Sequence, residues 1–172
     1  MTGPARILTG EEVVGAFGDP MPLLLEDGHV ADFWPRRILG TAYLPAALPL
    51  SWDRSRMVRR FSCHRLLVKR FEGAFARIHA APGAWDTVND FGGCYAWRAV
   101  RGAKAVLSRH AWGIAVDMDV LDNPMRGEPH VHPAVVEAFA AEGFYWGGNF
   151  SLRRRDPMHF EFADLTLLPG GG

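Results

Sequence analysis

Two short stretches late in the chain constrain the fold most: Ile114 to Val120 and Met158 to Phe162. Both have strand length and are rich in β-branched or aromatic residues, yet the first contains Asp117 and the second contains His159 and Glu161. An ionised carboxylate inside an apolar strand requires a compensating cation, because desolvating an unpaired charge is costly. His159 and Glu161 alternate with Phe160 and Phe162, so the polar face of that segment is directed into a site. Both stretches are expected to be central strands that present the chemistry of the molecule.

The remaining pattern places helices around them. Thr9-Gly-Glu-Glu12 reads as a capping box opening a short helix with Val13, Val14 and Phe17 inward, stopped by Gly18-Asp-Pro20. Extended pieces are expected at Leu23 to Leu25, His29 to Trp34 and Ile38 to Tyr43. Between Ser62 and His79, Leu67, Phe71, Ala74, Phe75 and Ile78 recur at helical spacing and mark the long core helix. A second helix is expected from about Pro133 to Glu142, with Val135, Val136 and Phe139 inward and Gly143 as its left-handed cap. Helices and strands do not alternate strictly, which favours an α+β fold with a central antiparallel sheet and helices packed against it. The chain reads as a single domain, with residues 1–60 a strand-rich lead-in and 61–165 the catalytic core.

Composition narrows the function. Nineteen basic and nineteen acidic side chains cancel, which argues against a nucleic-acid partner. No stretch approaches 18 uninterrupted apolar residues, so no membrane insertion is expected, and the N-terminus shows no export signal. At 172 residues a chain can bury about two-thirds of its unfolded surface. Any metal is therefore expected to serve function rather than folding. Cys63 and Cys94 are too few for a disulfide scaffold and do not form a C-x-x-C pair; buried thiols or a single disulfide both remain open.

Ser108-Arg-His-Ala-Trp-Gly-Ile-Ala-Val-Asp117 puts a histidine in a polar turn, a glycine at a close bend and the strand aspartate after it. With His159, the set is two histidines and one carboxylate. Such a set holds one divalent ion and leaves a position open for water, the pattern of a catalytic zinc. The ligands proposed on this basis are His110, Asp117 and His159.

Ser108-x-His110-x-x-Gly113-x-Ala115-x-Asp117, followed by Asp156-x-x-His159, resembles the signature of a zinc peptidase family. That family contains the vancomycin-resistance-type D-alanyl-D-alanine carboxypeptidases and dipeptidases, and phage endolysins that cut the L-alanyl-D-glutamate bond of peptidoglycan. The resemblance runs from about Tyr95 to Phe162 and includes Trp146-Gly-Gly148. It implies a DD-peptidase/Hedgehog-like fold and one Zn2+ on His110, Asp117 and His159. Asp156 would be the general base, a position that holds Glu or Asp in the family. Arg98, in Tyr95-Ala-Trp-Arg98, would face the substrate carbonyl, with Arg101 close enough in sequence to take that role instead.

Other residues carry two readings each. Trp112, Trp146 and Tyr95 are candidates to line a peptide groove, as are Tyr145 and Phe150, although aromatics more often fill a core. Glu161 either orients a ligand imidazole or is a satisfied strand carboxylate. Asp119 and His130-Val-His132 are expected to be structural, the latter preceding the Pro133 helix. Ser108 and Arg109 are expected to shape the turn that holds His110. Arg153-Arg154-Arg155 is either solvated or meets substrate carboxylates.

The function so implied is hydrolysis of a peptide bond in peptidoglycan stem peptides by a monomer, as an L-Ala-D-Glu endopeptidase or alternatively a D-Ala-D-Ala carboxypeptidase. A non-catalytic wall-binding or phage structural module on the same fold is an alternative of another class. An iron oxygenase also uses two histidines and a carboxylate, but its usual first pair stands two residues apart, whereas His110 and Asp117 are seven apart. Without an export signal, the chain would be made in the cytoplasm and meet the wall after lysis, holin-type release or particle delivery.

Overall fold

A computed structural model describes residues 3–100 and 103–169. Its frame is a six-stranded sheet in which the two polar-bearing segments pair side by side as interior strands, the second of them next to the sheet edge rather than central, with helices packed on one face.

The N-terminal helix α1 (Gly10–Phe17) forms as the capping box requires. The Thr9 hydroxyl accepts from the Glu12 N–H, and the Glu12 carboxylate accepts from the Thr9 N–H. Val13 and Phe17 are buried, but Val14 lies outward and is 37% exposed. The expected extended piece at His29 to Trp34 is mostly absent. Leu24 and Val30 form one isolated bridge, and a short helix α2 (Phe33–Ile38) follows. Pro35 sits in its first turn, where the missing N–H costs nothing, and Trp34 is buried with its indole N–H donating to Ala111 O at 3.2 Å.

Two long strands, β1 (Leu39–Leu50) and β2 (Asp53–His64), form an antiparallel hairpin. Residues 62–64, expected to be helical, close this hairpin instead. A 3-10 turn, Arg65–Leu67, then leads into the core helix α3 (Val68–Ala80). Phe71, Ala74, Phe75 and Ile78 form its buried stripe. The boundary expected at residue 60 therefore falls inside β2, and the hairpin joins the same sheet as the rest of the chain.

Next come β3 (Phe91–Gly93), the small hairpin of β4 (Ala99–Val100) and β5 (Ala103–Leu107), and β6 (Ala115–Met118). Helix α4 (Pro133–Ala141), β7 (Phe144–Trp146) and β8 (His159–Phe162) complete the chain. The His132 ring caps α4 by accepting from the Ala134 N–H at 3.2 Å. The sheet order is β2-β1-β3-β6-β8-β7. It is mixed rather than wholly antiparallel, because β1 meets β3 in parallel through Leu50 and Phe91. Helix α3 packs over β1 between the hairpin and β3.

Helices α3 and α4 pack on one another, with α3 over β1 and α4 against β7. Between them and the sheet lies an aromatic core. Phe160 stacks on Phe139 at 4.3 Å between ring centroids, and Phe144 meets Phe71 at 4.7 Å. Truncating such buried rings costs about 3–5 kcal/mol each. The odd-numbered residues of β8 point away from this core, so the aromatic face anchors the strand while its polar face stays available. Cys63 and Cys94 are buried free thiols, and burial pushes Cys63 up to about 12.

Candidate metal centre and cleft

Antiparallel pairing of β6 with β8 sets Asp117 directly opposite His159. Directly opposed residues of an antiparallel pair stand close on one face, so this register alone unites two of the three expected ligands. The third arrives from a 3-10 turn, Arg109–Trp112, that is capped by the Ser108 hydroxyl accepting from the His110 N–H. Gly113 ends this turn with φ +67°, and a Cβ there would press on the His64 backbone. Only glycine fits both demands without strain.

The ligand atoms form a tight triangle. His110 Nε2 is 3.3 Å from His159 Nδ1 and 3.2 Å from Asp117 Oδ1, and the third side is 2.8 Å. Donors on a tetrahedral zinc at ~2.0–2.1 Å lie roughly 3.3 Å apart, so the donor set fits such an ion in chemistry and on the two sides that meet His110, while the Asp117–His159 side is shorter. Each imidazole is also fixed from behind. His110 Nδ1 lies 2.6 Å from Cys94 O, and His159 Nε2 lies 3.1 Å from Glu161 Oε2. Each outer nitrogen thus donates its proton, leaving the inner lone pair for a metal.

Charge balance follows the same layout. Burial alone would raise the Asp117 carboxyl, but the His110 and His159 imidazoles hold it well below the usual carboxylate range. Burial would lower His159, yet Asp117 and Glu161 push it up to about 10. Glu161 is held low against its burial by His159 and by Arg109, whose Nε is 3.5 Å from Oε1. Arg109 also donates to Leu8 O, tying the N-terminal segment to the rear of the site.

Asp156 reaches the cleft through the turn Asp156-Pro-Met-His159, closed by the His159 N–H donating to Asp156 O at 3.0 Å. Its own N–H donates to Gly147 O, also at 3.0 Å. A Cβ on Gly147 would collide with Asp156 O and crowd His159, which explains the glycine in Trp146-Gly-Gly148 by close backbone approach. Asp156 Oδ1 is buried with no protein partner. Burial raises its pKa, with Asp117 adding to the rise and His159 opposing it.

Arg98 Nη2 stands 3.8 Å from Asp117 Oδ2, and Arg98 O accepts from the Ser108 N–H at the start of the His110 turn. Its side chain is 45% exposed toward a cleft of about 300 Å³ that Asp117, Asp156, His159 and Glu161 also line. Arg101, the other arginine considered, lies outside the described residues.

The expected aromatic groove is placed differently. Trp112 is buried and its indole donates to Gly18 O at 2.8 Å. Trp146 donates to Pro157 O at 2.7 Å, bracing the Asp156 turn. Tyr95 packs against the core. None of the three is part of the cleft wall, whose aromatic is Phe150. Each indole meets a backbone carbonyl that the sequence gives no means of locating. Asp119 is structural, accepting from the Asn89 and Asp90 N–H groups.

Residues 101–162 match a protein-family model described as D-alanyl-D-alanine carboxypeptidase. No curated protein and no solved structure matches the chain. The matched stretch holds His110, Asp117, Asp156 and His159, while Arg98 lies just before it. The family match thus falls on the stretch that carries the His-Asp-His triangle, a group that could hold a metal ion, and it supports a peptidase.

Proposed function

We propose that this chain is a zinc-dependent peptidase that hydrolyses the L-Ala-D-Glu bond in peptidoglycan stem peptides. The observation that carries the reading is the convergence, in one cleft, of three potential metal-ligand atoms from His110, Asp117 and His159 and the unpartnered buried oxygen of Asp156. His110, Asp117 and His159 would hold the zinc, which would supply Lewis acidity toward water and the carbonyl when bound.

The chain's own residues do the rest. Asp156 Oδ1 takes a proton from the attacking water while the water oxygen bonds to the carbonyl carbon. As the C–N bond breaks, the same oxygen returns that proton to the leaving nitrogen. Burial raises the Asp156 carboxyl, which favours holding the proton until the leaving nitrogen takes it. Arg98 donates to the carbonyl oxygen as it gains negative charge, from a guanidinium that stands 3.8 Å from Asp117 Oδ2.

An internal bond needs contacts on both of its sides. The cleft offers Val100 and Val106 of the β4–β5 hairpin as well as residues of the 150–154 segment. The D-Ala-D-Ala carboxypeptidase reading has its own support, in the description of the matched family. Delivery to the wall after lysis, holin-type release or carriage in a particle is part of the same proposal.

Incubation of the zinc-loaded protein with peptidoglycan, followed by mass spectrometry, separates these readings. Stem peptides with a new D-Glu amino end establish the endopeptidase. Loss of terminal D-Ala alone establishes the carboxypeptidase. No release, with zinc still bound and with chelated and Asp156→Asn controls equal to the wild type, transfers the site to a binding or structural role.

A further inference from the structure

The cleft has a basic wall that the reaction above does not use. Arg153 and Arg154 are exposed and line it, and neither has an ion-pair partner among the described residues. Their neighbour Arg155 differs, since it is spent on Glu128 at 3.2 Å. In a chain of zero net charge, two unpaired guanidinium groups beside a buried site ask for an anion from outside.

Arg154 is the better placed. Its guanidinium carbon lies 5.7 Å from the centroid of the Phe150 ring, and that ring lies 6.3 Å from the imidazole of His159. A guanidinium stacked on an aromatic face keeps its in-plane donors free. One ring thus separates a set of forked donors from a metal ligand. The backbone beneath is braced as well. The Arg154 N–H donates to Ser151 O at 2.7 Å, the Arg126 side chain donates to Arg153 O at 3.2 Å, and the Arg126 N–H donates to Arg155 O at 2.8 Å.

We infer that Arg154 is a specificity-determining residue that binds a carboxylate on the substrate residue supplying the leaving amine. The inference rests on the peptidase reading. It holds for either bond, because that residue bears a free α-carboxylate in both cases. It is the terminal D-alanine in one, and in the other a D-glutamate that continues the chain through its side-chain carboxyl. Planar, bidentate recognition of a carboxylate is what arginine provides and lysine does not.

The test uses two peptide pairs: L-Ala-γ-D-Glu-L-Lys with the glutamate α-carboxyl free or amidated, and acetyl-L-Lys-D-Ala-D-Ala with its terminus free or amidated. Binding to the zinc-loaded full chain is measured by calorimetry, and turnover by mass spectrometry. In one of the pairs the acid binds about ten- to a hundred-fold more tightly than the amide. Arg154→Ala removes that preference by weakening the acid alone, raising KM with kcat held, and Arg154→Lys restores it in part. Equal binding of acid and amide in both pairs, or an equal loss for both forms in Arg154→Ala, overturns the inference. Arg154-dependent binding of the acid without turnover of either pair keeps Arg154 as a carboxylate-binding residue but overturns its place at a leaving group, together with the peptidase reading.

Discussion

The two histidines of the metal triangle are held in opposite ways. His159 stands in a strand and leans on a carboxylate, Glu161, which leans in turn on Arg109. His110 stands in a turn and leans on a backbone carbonyl, that of Cys94. The first arrangement is a chain of side chains that substitution can tune. The second is built from backbone geometry, so its control lies in whatever fixes the turn: the Ser108 cap, Gly113, and the His64 N–H that donates to Gly113 O at 2.8 Å. One metal centre thus has an electrostatic side and a conformational side.

If that division is right, removing either imidazole costs the same. His110→Ala and His159→Ala are both expected to lose zinc and activity together, as read by metal content and peptidoglycan hydrolysis. Asp156→Asn should keep zinc and fold yet slow turnover by about 10²–10⁴-fold, the usual worth of general acid–base catalysis. A near-normal rate in that variant would remove Asp156 as the base.

Arg98 belongs to the conformational side, since its carbonyl holds the cap of the His110 turn while its guanidinium faces the cleft. Arg98→Ala is expected to lower kcat by roughly 10²–10³-fold, the cost of losing one oxyanion donor, with the fold unchanged by circular dichroism. If Arg101→Ala produces that fall instead, the role moves three residues along the chain.

The sequence was most informative where side chains alone decide the outcome. Asp117, His159 and Glu161 stood out because charged groups in apolar strands demand partners: the β6–β8 register sets Asp117 against His159, and Glu161 meets His159 and Arg109. The capping box at Thr9, the stripe of α3 and the Pro133 helix were legible for the same reason, as side-chain pattern. Partners made of backbone were not. Cys94 O behind His110, Gly18 O on Trp112 and Pro157 O on Trp146 have no residue signature, so two tryptophans expected at the groove lie elsewhere. The parallel contact of Leu50 with Phe91 was equally hidden, because a single backbone pairing between segments some forty residues apart leaves no side-chain pattern.

Glu161→Gln probes the electrostatic side alone. The amide keeps the shape but loses the charge that supports the His159 proton and pairs with Arg109. Metal affinity or activity is expected to fall about 10- to 100-fold, measured by competition with a zinc indicator and by hydrolysis rate. No change in either would show that strand geometry by itself orients His159, and the contrast with His110 would disappear.

The conformational side is best tested by pH, through His64. Its ring is buried at 3% exposure, packs edge-on against Phe17 at 5.0 Å, and accepts the Leu66 N–H at Nδ1. Burial, with the Arg65 charge adding to it and a Phe17 backbone bond opposing, lowers its pKa to about 4. The folded state therefore takes up this proton later than the unfolded chain, whose histidine titrates near ~6.5. From about pH 6.5 down to about 4 the unfolded state binds more protons, so stability is full above the window and falls as pH drops through it. The drop is at most about 3 kcal/mol. Denaturant melts across that window should show the slope in the wild type and its loss in His64→Gln. Because the His64 backbone holds Gly113, acid should loosen the His110 turn before it reaches the β6–β8 pair. Hydrogen exchange at Gly113 rising ahead of exchange at Phe162, whose N–H donates to Ile114 O, would show the two sides failing separately, and simultaneous exchange would show a single unit.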